Sequence, residues 1–534
     1  MTNSGRMRRA LCVAAALLAA PAPVVAQAST AAAASAAPTR AEVLATMKRA
    51  TRFMVEKVAY RGGYVWSYLP DRSRQWGELE AYPTMVWVQP PGTATVGHLF
   101  LDAYHATGDA YYYDAAMQAA GALIAGQKPK GGWHYFIDFG GAASTRRWYD
   151  TIGRNAWRME EFQHDWGNAT YDDGGTGETI RFLTRLYVEK RDATVKRALD
   201  KAIGFVLASQ MANGGWPQRW PFVAQGGLHG RPDYTRLITF NDSVIADNID
   251  VLMTYHQATG DARVLPAIRR GMDIYVATQQ PAPQAGWGLQ HGMDLKPAGA
   301  RTYEPAALVT HTTASNVAQL MHFYRLTGDA RYLAPVPAAL DWLESVRLPA
   351  SEQVGGRQFP TFVEIGTNRA LYVHRRGSNV VNGAYYVDHD PAATIGHYNA
   401  RRAIDLDRLR AEYRQLAALP AATVAAGSPL KQGSRPLKPY WTTGTEPAAA
   451  AGDLGPLVRA LNAEGWWPSP LRASSHRYTR DGSPQVTPGD FRTTDVGDAT
   501  DTSPYDVKDG PVAISTGVYI DNMARLIATL PERG

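Results

Sequence analysis

The chain has 534 residues, one cysteine and a formal charge of +6 at pH 7. A lone cysteine excludes an internal disulfide framework, and so modest a positive balance gives no argument for nucleic acid or a membrane surface as partner. The length permits a large core, and 14 Trp with 27 Tyr serve either that core or a sugar-binding groove.

In chain order, Arg6, Arg8 and Arg9 precede an apolar run from Ala10 to Val25, and Ala26-Gln-Ala28 then offers small residues where a signal peptidase reads. Residues 1–28 are therefore expected to be a cleaved export signal, with a periplasmic or secreted product. The run is interrupted by Pro21 and Pro23 and falls short of the roughly 20 residues of a spanning helix, so no membrane attachment is expected after cleavage. Cys12 leaves with the signal, so any metal in the mature chain must be held by oxygen or imidazole. Losing three arginines takes the charge from +6 to +3 (6 − 3), which leaves recognition of an acidic substrate to local arginines. Residues 29–40 are rich in Ala, Ser, Thr and Pro and read as a disordered lead-in.

Internal repeats set the architecture of residues 41–400. Ala103-Tyr-His-Ala-Thr-Gly-Asp109, Thr254-Tyr-His-Gln-Ala-Thr-Gly-Asp261 and His322-Phe-Tyr-Arg-Leu-Thr-Gly-Asp329 read alike, with a weaker copy at Arg185–Asp192. Each ends one helix at a short polar turn, with a glycine suited to a left-handed cap in the three clear copies, and starts another, as over Tyr111–Ile124, Ala193–Ser209 and Ala262–Thr278. The second helices run into Gln127-Lys-Pro-Lys-Gly-Gly-Trp133, Gln210-Met-Ala-Asn-Gly-Gly-Trp216 and, more loosely, Gln279–Trp287. The unit is a helical hairpin, and stacked hairpins predict an all-α (α/α) barrel or toroid with its irregular loops on one face. Few strand-like patterns occur, and short strands would lie in those loops. Residues 401–534 hold a charged helix over Arg401–Ala418, then a Pro-, Gly- and Thr-rich stretch expected to wrap the toroid, and a helical run over Ile520–Ala528.

Asn168-Ala-Thr-Tyr-Asp-Asp-Gly-Gly-Thr-Gly-Glu178 is a compact oxygen-rich loop before a helix expected over Thr179–Val188. Carboxylates with flanking glycines suit a hard cation; helix capping by Asp172, Asp173 or Thr176 explains the same residues. Asp242, before a helix expected from Ser243 to His256, carries the same two readings, and consecutive hairpins bring both loops to one face. Arg301 reads either as a cleft guanidinium or as a salt-bridge partner of Glu304 or Asp294. His291 reads as an acid–base group or as a structural histidine. Trp216 and Tyr303 read as sugar platforms or as packing, and Arg369 and Arg376 as carboxylate grips or as solvated loop charge.

Four segments in order resemble the family-10 pectate lyases: Asp172–Thr176, Gly214-Gly-Trp-Pro-Gln218, Ile238-Thr-Phe-Asn-Asp242 and Ala300-Arg-Thr-Tyr-Glu304, with the region Gly366–Arg376 extending the likeness. The resemblance covers about Gln127 to Arg376. It implies an (α/α) toroid that cleaves polygalacturonate or a related uronic acid polymer by calcium-assisted β-elimination. Asp172 and Asp242 would ligate calcium, and Arg301 would be the catalytic base. Asp173, Trp216, Gln218, His291, Tyr303, Arg369 and Arg376 would meet an acidic polysaccharide, and a monomer is expected. A guanidinium base needs nearby positive charge and exclusion of water to lower its pKa. The sequence departs from the family at Asp173, where Asn is usual, at Gly175, where Ala is usual, and at His134; the segment Gly62–Gly92 has no counterpart. A glycoside hydrolase on a similar toroid, with Asp172, Asp173 and Glu178 as its carboxylates, is one alternative. A terpene-cyclase-like toroid shares the Gln-x-x-x-Gly-x-Trp repeat, and a non-catalytic carbohydrate-binding protein is the reading outside enzymes.

Overall fold

Each hairpin is held by the residues that announce it. The computed structural model describes residues 37–153, 160–224, 232–376, 384–392, 394–395, 398–442, 454–471 and 511–530. The expected export signal, the lead-in up to residue 36 and the Arg376 side chain lie outside them. Four hairpins pair Thr93–Thr107 with Ala110–Ala125, Gly175–Lys190 with Ala193–Ser209, Val244–Thr259 with Leu265–Thr278, and Thr310–Thr327 with Val336–Ser345. At the turn between partners Gly108, Gly260 and Gly328 take φ of 68°, 74° and 72°, where a Cβ is costly. Asp109, Asp192, Asp261 and Asp329 then accept a backbone N–H and cap the next helical segment, each cap contributing about 1 kcal/mol.

The Gln…Trp motif forms a clamp at the opposite end. Gln127 Nε2 donates to Gly131 O within its own loop at 2.8 Å and to Ala198 O of the next hairpin at 2.9 Å. Gln210 repeats this with Gly214 O and Ala267 O, and Gln279 with Ala285 O and Pro335 O. Trp133, Trp216 and Trp287 each donate the indole N–H to a carbonyl of the helix they follow, those of Leu123, Val206 and Tyr275. Every hairpin is thus fastened to its neighbour by the same amide.

The leading helices pack in sequence, Thr93–Thr107 on Gly175–Lys190 and that helix on Val244–Thr259. Thr310–Thr327 lies against Leu265–Thr278 and Leu406–Ala417, and Thr516–Ile527 against Arg40–Phe53 and Thr93–Thr107. The fold is an all-α (α/α) toroid. Among the described residues no helix is long and apolar enough to cross a membrane. The loop face carries short antiparallel pairs: Met85–Trp87 with Phe136–Asp138, Ala169–Thr170 with Arg219–Trp220, and Ile238–Thr239 with Gln290–His291. Each joins the entry to a leading helix with the segment beyond a Trp loop, which sets the site's backbone.

Three helix expectations need correction. The helix expected over Arg401–Ala418 spans Leu406–Ala417, because Asp405 caps it and Arg401–Arg402 pair as a strand with Phe359–Pro360. The helix expected from Thr179 begins at Gly175, and the one expected from Ile520 begins at Thr516, where Ser515 caps it.

Farther along, the chain is tied back by a buried charge. Asp102 accepts Arg185 Nη2 at 2.7 Å and the backbone N–H groups of Trp441 and Thr442 at 2.9 and 2.6 Å, while the Trp441 ring stacks on His98 at 4.8 Å. Removing one partner of a buried pair strands the other. Asp102→Ala is expected to lower unfolding free energy by about 3–5 kcal/mol in urea titrations; a loss under about 1 kcal/mol would contradict this role.

Candidate active site

Two equivalent turns build the centre. Tyr171-Asp-Asp-Gly174 and Phe240-Asn-Asp-Ser243 each enter a leading helix, and both put the Asp at their third position in the left-handed region, Asp173 at φ 52° and Asp242 at φ 48°. Asp tolerates that conformation better than most residues, yet it is strained backbone of the kind that gathers at functional sites. One carboxylate oxygen from each of Asp172, Asp173 and Asp242 lies within 4.8 Å of the others. Asp172 is buried, Asp173 half-buried, and Asp242 keeps accessible surface although its carboxyl is crowded from other sides. The cluster is therefore a floor that reaches solvent at Asp242.

Around this floor lies a buried polar shell. Asp172 Oδ2 accepts Tyr135 O–H at 2.5 Å and Arg301 Nη2 at 2.7 Å, whereas its buried Oδ1 has no hydrogen-bond partner among the described residues. Arg301 also gives Nε to Glu161 Oε2 and Nη1 to Glu304 Oε1, each at 3.1 Å. Tyr398 O–H donates to Glu304 Oε1 at 2.5 Å, and Asn241 Nδ2 donates to Asp242 Oδ2 at 2.6 Å.

Burial and repulsion divide the carboxyls. Burial pushes Asp172 up, but Arg301, the interaction with the Asp242 carboxyl, the hydrogen bond from Tyr135 and Arg219 hold it below the ordinary carboxylate range. Burial and then the Asp172 charge push Asp173 and Asp242 well above it. Burial lifts Glu161 to about 7 against the pull of Arg301. Arg301 loses stability as a cation through burial, but Glu161 and Asp172 more than compensate and push it well above its usual value. The setting is the reverse of what a guanidinium base requires: here Arg301 is a protonated clamp.

The structure thus brings Asp172, Asp173, Asp242 and Arg301 together, and it separates other expected site residues from them. Trp216 is wholly buried beneath the Gly271 backbone and gives its N–H to Val206, so its ring is core and no sugar platform. Tyr303 is likewise buried, edge-on to Tyr385 and Tyr398. His291 is buried, accepts Gly288 N–H on Nε2 and makes a 2.9 Å contact from Nδ1 to Leu295 O, which makes it a structural histidine. Gln218 is buried, and among the described residues neither of its amide atoms has a hydrogen-bond partner, while its carbonyl receives Tyr171 N–H. Arg369 is exposed on the turn before Ala370–Arg376, and among the described residues no hydrogen bond or ion pair joins it to the centre. Sequence reasoning missed Tyr135, Glu161, Arg219 and Tyr398; of these, Arg219 lies over the rings of Tyr135 and Trp166 at 5.2 and 4.9 Å.

Residues 138–414, just over half of the chain, match the family described as pectic acid lyase. The chain belongs to the pectic acid lyase family. This pectic acid lyase family member is a polysaccharide lyase. No curated protein matches it. Among solved structures it is similar to a family 10 polysaccharide lyase from Cellvibrio cellulosa, at 21% identity over 52% of this chain and 84% of that one, TM-score 0.36. A variant of that enzyme in complex with trigalacturonic acid matches at 20% identity over 52% and 86%, TM-score 0.35. The cellobiose 2-epimerase of Spirochaeta thermophila matches at 14% identity over 92% and 96%, TM-score 0.39.

The buried imidazole of His291 has a stability consequence. Burial pulls it down to about 4 against the opposing Leu295 carbonyl and Asp294. Its folded value lies below the unfolded 6.5, so the unfolded chain takes up the proton first. Its contribution is whole above pH 6.5 and drains as pH falls to about 4, by up to about 3 kcal/mol. Urea unfolding of His291→Gln should fall less over that window than wild type; parallel curves would contradict the assignment.

Proposed function

We propose that this polysaccharide lyase cleaves pectate, or a related uronic acid polymer, by β-elimination assisted by calcium bound at Asp172, Asp173 and Asp242. The observation that carries the reading is the all-oxygen donor set on two left-handed turns, with the buried Oδ1 of Asp172 left without a partner. Such a set fits a hard divalent cation better than a transition metal. Two carboxyls that burial and repulsion push toward protonation are what a cation site looks like when proton and cation compete.

When bound, the cation would supply positive charge against the substrate carboxylate, which makes the uronate C5 proton more acidic. The rest falls to the protein. Asp172, Asp173 and Asp242 hold the charge, Tyr135 and Arg301 fix the orientation of Asp172, and Asn241 fixes Asp242. Arg301 is the proposed catalytic guanidinium, by resemblance to the family-10 pectate lyases. With its proton in place it stabilises negative charge developing on the uronate. To take the C5 proton it must first release its own proton to solvent, which its carboxylate partners oppose and a cation neutralising Asp172 would ease. Loss of the C5 proton forms the C4–C5 double bond as the C4–O bond breaks, and the departing oxygen takes up a proton from water, leaving an unsaturated sugar end. Arg369 and Arg376 remain proposed grips for more distant substrate carboxylates. The Arg-led apolar leader of residues 1–28 supports export to the periplasm or beyond.

The test is turnover of polygalacturonate followed by absorbance of the unsaturated uronide. Signal should need calcium, stop with a chelator and return when calcium is restored. Arg301→Ala should lower kcat by at least about 100-fold. New reducing ends without the unsaturated chromophore would instead indicate hydrolysis, and calcium-dependent binding without product would indicate a lectin-like role.

A further inference from the structure

The family match begins at residue 138, yet one wall of the acidic centre comes from upstream of it. The entry to the first leading helix carries Trp87-Val-Gln89. Gln89 is buried, and its Nε2 donates to Asp173 Oδ2 at 2.8 Å and to Glu78 Oε2 at 2.7 Å. Trp87 Nε1 donates to Gln89 Oε1 at 2.9 Å, and Trp66 Nε1 to the Gln89 carbonyl at 3.1 Å. The indole N–H fixes which end of the amide is oxygen, so both amide hydrogens point at carboxylates.

Two departures from the family pattern meet this one residue. Asp173, where Asn is usual, is the acceptor of Gln89. Gly175, where Ala is usual, lies so near that a Cβ there would sit 3.3 Å from Gln89 N and 3.4 Å from its Cα. The missing methyl lets the upstream loop close on the turn, and the extra carboxylate gives its amide a charged acceptor, a bond roughly twice as strong as a neutral one.

We infer that Gln89 is a positioning residue for the acidic centre: it anchors Asp173 by Oδ2 against Glu78, and so keeps the other oxygen of Asp173 directed to the point shared with Asp172 and Asp242. This rests on the proposed cation site. Left-handed backbone at Asp173 leaves its side chain few alternatives, but within them the carboxylate still rotates, and Gln89 removes that freedom before a cation arrives. Without the anchor, binding must order Asp173 itself, which weakens affinity and leaves the chemistry at saturation unaltered.

The experiment is calorimetric titration of calcium into the full chain, with kcat on polygalacturonate measured at saturating calcium. Gln89→Met keeps the bulk and loses both donors. Its calcium Kd should rise at least about tenfold while kcat at saturation stays within about twofold. A merely structural role would lower kcat and the calorimetric stoichiometry through loss of folded protein and leave Kd unaltered; that outcome overturns the inference. Asp173→Asn provides a second arm should Gln89→Met not fold, since it retains an acceptor for Gln89 and removes only the charge. Its Kd should also rise at least tenfold, and a Kd within twofold of wild type would show Asp173 to be no ligand and end the proposal. A wild-type chain that fails to bind calcium sinks the cation reading itself, which distinguishes that failure from a failure confined to Gln89.

Discussion

Three carboxylates held within 4.8 Å of one another repel, and much of the architecture serves to keep them there. The repulsion is met in three ways. Arg301 supplies positive charge to Asp172, two turns are locked in left-handed backbone, and the turns are fastened from behind by short strand pairs that continue the Trp loops. A lone helix cap would need none of this. The repeated hairpin explains how the centre arose from one kind of part, because Asp173 and Asp242 occupy the same position of two consecutive units, as do Asp172 and Asn241.

Much of this was legible in the sequence where the signal is local. The Thr-Gly-Asp turns were readable because left-handed backbone demands glycine and the following helix demands a cap. The acidic turns were readable because carboxylates beside glycines before a helix form a rare composition. What escaped was burial and long-range pairing. Trp216 and His291 have the right chemistry for a groove, and nothing local states that the fold covers them. A signal did exist for Trp216: Trp133 and Trp287 fill the same slot, and a residue recurring in three successive hairpins serves the hairpin. Glu161 lies 140 positions from Arg301 and Gln89 lies 84 from Asp173, so their roles depend on packing that local patterns do not encode.

Arg301 shows how much such partners alter a reading. Alone, it invites assignment as a base; surrounded by Glu161, Asp172 and Glu304 it carries a proton that must leave before it can act as one. Its proposed function in elimination is therefore tied to the charge state of the cluster beneath it. The ends of the chain are tied in as well. Thr516–Ile527 packs beside the first helices, Asp102 holds the backbone at Trp441, and the loop through Gln89 walls the centre. The segment that carries the family likeness is thus only part of the working unit.

The central claim is that two repeated turns form one cation site. X-ray diffraction from crystals grown with calcium tests it most directly, through the anomalous difference map. A single strong peak within about 2.3–2.6 Å of oxygens from Asp172, Asp173 and Asp242 is the predicted result. A cluster that stays without a peak at millimolar calcium would contradict it.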